Sequence, residues 1–282
     1  GCGSKQTSDV TILRLGHTLD TQHSVHKAMV YFGERLSEYS GGTMQVAIYP
    51  GSQLGTEREM IELLQIGSLD MTKVSASPLE GFAPEMQIFS LPYVFRDSEH
   101  FWKVLNSDVG KGLLTGIEAF KLKGLGYYDA GSRSFYTPDR PIHSPADLQG
   151  MKIRVLNSPT AVKTVRALGG AATPVSWGEL YTALQQGVVD GAENNPPSYY
   201  LSRHYEIARY YSLDEHTSVP DVMLMSLRTF NNFTAQQQQW VQQAMADSVV
   251  YQRKLWQEST LESLEKVKAD GVEVIYPDKQ PF

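Results

Sequence analysis

Stretches whose apolar residues recur at every second position alternate with stretches recurring every 3.6, and this pattern runs through most of the 282-residue chain. Successive strand residues face opposite ways while a helix presents one stripe, so the two periods mark strands and helices. Residues 11–16 set Leu13 and Leu15 between polar neighbours, a short strand. A helix follows with Val25, Met29, Phe32, Leu36 and Tyr39 on one stripe, ended by Gly41-Gly42. Residues 43–49 align Met44, Val46 and Ile48, and Pro50-Gly51 stops that strand. Thr56-Glu57-Arg58-Glu59 has the form of a capping box opening a helix to about residue 66, and residues 71–75 make the next strand.

Helices are expected over 99–105 and 111–120, then a strand over 124–128. The second half repeats the grammar. Ser144-Pro145 starts one turn before a strand at 151–155, and Ser158-Pro159 opens a helix to about residue 168. Ser176-Trp177-Gly178-Glu179 reads as a second capping box, with strands expected at 188–191 and 223–227. Thr234 caps a final helix running towards residue 268; about 30 residues span roughly 45 Å, enough to brace two lobes. Strands separated by helices imply βαβ units and mainly parallel sheets. The expected organisation is α/β in two lobes: a tether at 1–10, lobe I from 11–130 plus 222–260, and lobe II from 131–221 plus 261–282. Residues at the strand ends facing the crevice are the default ligand contacts.

A formal net charge of −6 argues against nucleic acid as a partner. No stretch reaches the roughly 20 apolar residues of a membrane-spanning helix. The one cysteine, Cys2, excludes an internal disulfide. In Gly1-Cys2-Gly3-Ser4 it is either a residue without a role or a lipidated start, with Ser4 to Asp9 as tether; the lipid anchor is the expectation.

Signatures of catalysis are missing. There is no phosphate-binding loop, no dinucleotide glycine fingerprint and no Gly-x-Ser-x-Gly elbow. His17, His23 and His26 cluster, but no third ligand group has matching spacing, so neither a metal nor another cofactor is expected. Asp190 and Glu193 could form an acid/base pair; capping or pairing with an arginine is the commoner use of such carboxylates.

Two arginines stand out. Arg133 follows the small-residue turn Ala130-Gly131-Ser132, and Arg154 lies between Ile153 and Val155 in an otherwise apolar strand. A guanidinium there needs a fixed anion, either an internal carboxylate or the carboxylate of a ligand, which its fork matches with two parallel hydrogen bonds. Trp177 can form a flat apolar wall or fill a core. Asn194 offers both donor and acceptor, or serves the turn before Pro196-Pro197.

Six stretches in order carry a family resemblance: Tyr49-Pro50-Gly51-Ser52-Gln53-Leu54-Gly55, Gly67-Ser68-Leu69-Asp70, Leu91-Pro92-Tyr93-Val94-Phe95, Asp147-Leu148-Gln149-Gly150-Met151-Lys152-Ile153-Arg154-Val155, Glu179-Leu180-Tyr181-Thr182-Ala183-Leu184-Gln185 and Val189-Asp190-Gly191-Ala192-Glu193-Asn194. The chain resembles the DctP-type solute-binding proteins of TRAP (tripartite ATP-independent periplasmic) transporters. The resemblance implies a two-lobe periplasmic-binding-protein-like fold that closes on an organic acid outside the cytoplasm, with a ligand cleft between the lobes. It implies delivery to membrane subunits and no enzymatic activity. It assigns the carboxylate clamp to Arg154, assistance to Arg133, and ligand contacts to Asn194, Trp177, His17, Thr18, Ser75 and Ser77.

Departures from the sialic-acid binders bear on the ligand. Pro78 stands where they have an arginine, and Ser75 where they have an acid. His17, Asp20, His23 and Glu57 lie near the expected pocket loops, and Asn194-Asn195-Pro196-Pro197-Ser198-Tyr199-Tyr200 resembles the branch binding sugar acids such as glucuronate and galacturonate. A C4-dicarboxylate, sialic acid or an aldonate is the alternative ligand; an acid/base lyase using Glu193 is the alternative class. A second free cation near Arg154, which Arg133 could supply, would favour the dicarboxylate.

Overall fold

The protein is described here by a computed structural model covering residues 9–282; Cys2 and nearly all of the expected tether lie outside the described residues. The strands are β1 (Thr11–Gly16), β2 (Met44–Tyr49), β3 (Met71–Ser75), β4 (Leu122–Tyr128), β5 (Arg133–Thr137), β6 (Lys152–Val155), β7 (Ala171–Pro174), β8 (Gly191–Asn194), β9 (Tyr210–Thr217), β10 (Asp221–Ser226) and β11 (Glu273–Ile275). The helices are α1 (Ser24–Tyr39), α2 (Glu57–Gln65), α3 (Ala76–Leu79), α4 (Ser98–Leu105), α5 (Asp108–Gly116), α6 (Pro159–Ala167), α7 (Leu180–Gln185), α8 (Pro196–Leu201), α9 (Leu227–Asn232) and α10 (Ala235–Ala269). One lobe is built on a sheet ordered β2-β1-β3-β10-β4, the other on a sheet ordered β11-β9-β5-β8-β6-β7.

Both sheets are mixed, which corrects the expectation of mainly parallel ones. β1 pairs in parallel with β2 and β3, and β6 with β7 and β8, as βαβ units require. However, β10 runs antiparallel between β3 and β4, and β5 antiparallel between β8 and β9. The cause is the route of the chain. It leaves the first sheet at Tyr128 and enters the second at Arg133, then returns between Thr217 and Asp221. Each arriving strand enters at the end where its neighbours finish: Asp221 pairs with Ser75 and Tyr128, and Arg133 with Thr217. The carboxyl ends of the parallel strands of both sheets therefore face one crevice.

Both sheets are covered on both faces. Leu13, Leu15, Met223 and Tyr128 pack under α1 and α10, while Val74, Val222, Leu224 and Tyr127 pack against α2 and α4. In the second lobe Tyr136, Ala192 and Tyr211 meet Tyr199 and Val267 on one side, and Phe135, Ile153 and Val155 meet Ile142 and Val165 on the other. The capping boxes at Thr56, Ser144 and Thr234 form. That at Ser176 does not: a 3-10 turn at Trp177–Glu179 closes through the Glu179 N–H to the Ser176 carbonyl, and α7 starts only afterwards. The strand expected at 188–191 lies at Gly191–Asn194, with Val188 exposed in the preceding turn.

α10 spans 35 residues, or about 52 Å at 1.5 Å per residue. Val241, Ala244, Met245 and Trp256 join the first lobe's core and Val267 the second's, so the helix braces both. Where it passes the crossing segment, fully buried Gln252 accepts from the Asp129 N–H at 2.7 Å and donates to the Asp129 carbonyl at 2.8 Å. Gln252→Leu leaves both backbone groups without a partner, so it is expected to lower unfolding free energy by about 1–3 kcal/mol in urea denaturation.

Candidate ligand-binding cleft

The crevice holds two adjoining chambers, an outer one of about 290 Å³ and an inner one of about 40 Å³. Thr18, Glu57, Leu156 and Trp177 border both. Their placement follows from the fold: Thr18 follows β1, Glu57 begins α2, Leu156 follows β6, and Trp177 sits in the turn before α7.

Arg154, on β6, is 1% exposed, yet it has no carboxylate partner among the described residues. Its Nε–H donates to the Val175 carbonyl at 2.8 Å, and its Nη1 has no hydrogen-bond partner. The guanidinium carbon stands 5.5 Å from the centre of the Trp177 ring. Burial, and then the neighbouring charge of Arg133, lower its pKa to about 10, so it stays cationic at neutral pH. In the inner chamber the buried Ser75 Oγ also lacks a partner, while the Ser75 N–H donates to Glu57 Oε2 at 2.5 Å. Burial raises the pKa of Glu57, with Lys73 opposing.

Arg133 borders the inner chamber but is engaged. Its Nε–H and Nη2–H donate to the two Glu193 carboxylate oxygens at 2.5 and 2.9 Å, and Nη2 also to the Glu193 carbonyl at 2.9 Å. Glu193 Oε2 lies 3.2 Å from His216 Nε2, whose Nδ1 is 3.0 Å from Asp214. The imidazole stacks on Phe135 with centroids 4.4 Å apart. Burial alone would lower the His216 pKa, but Asp214 and Glu193 raise it to about 9; burial alone would raise that of Glu193, but Arg133 and His216 hold it at about 2. The internal salt bridge weighed for both arginines is thus the state of Arg133 and not of Arg154.

Asn194 ends β8 in the inner chamber, with its Oδ1 accepting from the Asn195 N–H at 2.8 Å. His17 lies elsewhere: fully buried, its Nε2 is 2.8 Å from His26 Nδ1, and its Nδ1 accepts from the Leu19 N–H. Asp20 is exposed on a wide outer groove, where it accepts from the Gln22 N–H. Ser77 borders a small void that shares Arg133, Leu156 and Val219 with the inner chamber, and lies 3.0 Å from Ser90 Oγ. Sequence reasoning missed Lys73 and Asp221, a buried pair at 3.3 Å in the inner chamber. A cation inside the strand Met71-Thr72-Lys73-Val74-Ser75 is the same signal that drew attention to Arg154.

Two lobes whose strand ends face one crevice, with a buried cation lacking a counter-ion on its wall, form an arrangement suited to holding a small anion. The chain belongs to the bacterial extracellular solute-binding protein family 7 (DctP), whose model matches residues 15–282. It is similar to a TRAP periplasmic solute-binding protein of Xanthobacter autotrophicus Py2 with bound β-D-galacturonate: TM-score 0.93, 40% identity, 95% of this chain and 90% of that one covered. It is likewise similar to one of Pseudomonas putida F1 with bound D-glucuronate: TM-score 0.93, 37% identity, 96% and 89% covered. The uncharacterised protein YiiZ of Salmonella typhimurium is 41% identical over 96% of this chain and 84% of its own length. The chain is a solute-binding protein of the TRAP type.

The raised His216 pKa has a consequence for stability. A group whose folded pKa exceeds its unfolded value of 6.5 contributes fully below that value, and the contribution is lost as pH rises through about 9. The melting temperature is therefore expected to fall between pH 7 and pH 9.5, and His216→Gln to flatten that slope in a thermal melt series.

Proposed function

We propose that the protein captures a monocarboxylate sugar acid, a hexuronate such as D-glucuronate or D-galacturonate, outside the cytoplasm and delivers it to TRAP membrane subunits without turning it over. The observation carrying this reading is the buried, unpaired Nη1 of Arg154. A carboxylate there completes the guanidinium fork and neutralises the charge. Trp177 supplies a wall for a sugar face, and Thr18, Ser75, Glu57 and Asn194 surround the remaining space with groups suited to hydroxyls. Arg133 assists by holding Glu193 in place at the lobe crossing.

Charge balance favours the sugar acid over a dicarboxylate. Arg133 is committed to Glu193 and Lys73 to Asp221, so besides Arg154 the remaining cation on the described cleft is Arg58, which stands exposed on the outer chamber 3.5 Å from Glu62. Glu57 and Asp221 would repel a second carboxylate but accept from hydroxyls. The similar structures with bound galacturonate and glucuronate support the same choice. Against the lyase alternative, Glu193 has both oxygens occupied and a pKa of about 2, which suits a fixed anion and not a base.

Closure of the lobes about the crossings at residues 129–132 and 218–220, with α10 as the third connection, is the mechanism, driven by the ligand's greater affinity for the closed form. Two measurements test this. In a thermal-shift panel of uronates, aldonates, sialic acid and C4-dicarboxylates, D-glucuronate or D-galacturonate at a hundred times its Kd is expected to stabilise by about 2.7 kcal/mol. A larger response to succinate or sialic acid would sink the assignment. Arg154→Lys keeps the charge and loses the fork; calorimetry is expected to show uronate binding weakened by about 2 kcal/mol or more, and unchanged affinity would remove Arg154 from the site.

A further inference from the structure

Beside the cleft, a buried hydrogen bond between carboxylate and hydroxyl joins the lobes, in addition to those of His23 with Ser198 and Thr164 with Ser90. Glu80 follows α3 on the first lobe, and Ser158 is the N-cap of α6 on the second. The Ser158 hydroxyl donates to Glu80 Oε2 at 2.6 Å while accepting from the Ala161 N–H at 3.0 Å. The two residues are 7% and 1% exposed, and Glu80 Oε1 has no partner among the described residues. The carboxylate thus stands at the positive end of a nine-residue helix belonging to the opposite lobe, bonded to the hydroxyl that caps it. Neither residue borders the outer or inner chamber, so the pair joins protein to protein and leaves the ligand untouched.

We propose that Glu80 and Ser158 form a closure latch, an inference that rests on reading the cleft as a clamshell. In the open form Ser158 swings away with α6 and Glu80 returns to water. In the closed form the hydroxyl and the helix terminus receive the carboxylate. Ser158 lies only four residues beyond Arg154 on the same strand–loop–helix unit, so drawing Arg154 onto a ligand carboxylate carries the start of α6 onto Glu80. The latch acts on the open–closed equilibrium and therefore multiplies the affinity of every ligand by one common factor.

A double-mutant cycle tests it, with calorimetric Kd values for D-glucuronate and D-galacturonate and melting temperatures without ligand. Asp caps helices as well as Ser does, so Ser158→Asp keeps α6 capped but sets a second carboxylate against Glu80. That variant is expected to weaken both sugar acids about tenfold, by the same factor, with the ligand-free melting temperature unchanged. Adding Glu80→Gln supplies an amide N–H to the new carboxylate and is expected to restore most of the affinity. The latch is overturned if Ser158→Asp binds like wild type, if Glu80→Gln brings no rescue, or if the two ligands shift by different factors. Failure of the ligand assignment looks different. Wild type then binds neither uronate, and the cycle is read with whichever panel acid raises the melting temperature; a panel without any binder overturns clamshell and latch together.

Discussion

A guanidinium taken out of water without an anion is among the least favourable things a fold can contain. Arg154 is in that condition: 1% exposed, tied to one carbonyl, and with Nη1 facing no partner. The lobes can approach this closely around it only if something supplies negative charge, or if other contacts offset the cost. The proposed carboxylate ligand does the first. Interlobe contacts such as Glu80 with Ser158 contribute to the second. Recognition and closure are then one event, because the group that needs the ligand is the group that closure buries.

The neighbouring arginine makes the contrast. Arg133 is also buried and also lies at a strand end, yet Glu193, His216 and Asp214 compensate it fully. This alternating chain of charges sits on β5, β8 and β9, which adjoin the lobe crossings. It fixes the backbone around which the lobes are related, while the uncompensated arginine two strands away stays available.

Much of this was legible in the chain itself. Elements with strong apolar periodicity, such as α1, β1 and β2, fall where the pattern placed them, and the bracing α10 starts at its Thr234 cap. β9 escaped because its buried face carries Asp214 and His216, whose mutual pairing removes the hydrophobic signal a strand normally shows. β7, Ala171-Ala172-Thr173-Pro174, is too short and too weakly apolar to announce itself. Within the cleft, Arg154, Trp177, Thr18, Glu57, Ser75 and Asn194 come together. His17 does not, being buried against His26, while Asp20 and Ser77 lie at the cleft's margins, on a groove that shares Thr18 and Trp177 and on a void that shares Arg133 with the chambers. Which arginine was paired could not be read at all, since Glu193 reaches Arg133 from 60 residues away.

The path of β10 has a consequence for biogenesis. This strand fills the slot between β3 and β4, but it is made only after the entire second lobe. Until residue 226 is available, the first lobe's sheet is split in two: β2-β1-β3 on one side and β4 alone on the other. The facing edges of β3 and β4 have no permanent ladder partner during that interval. A chain built this way matures late and as a whole, with each lobe completed by residues that emerge after the other has begun to form.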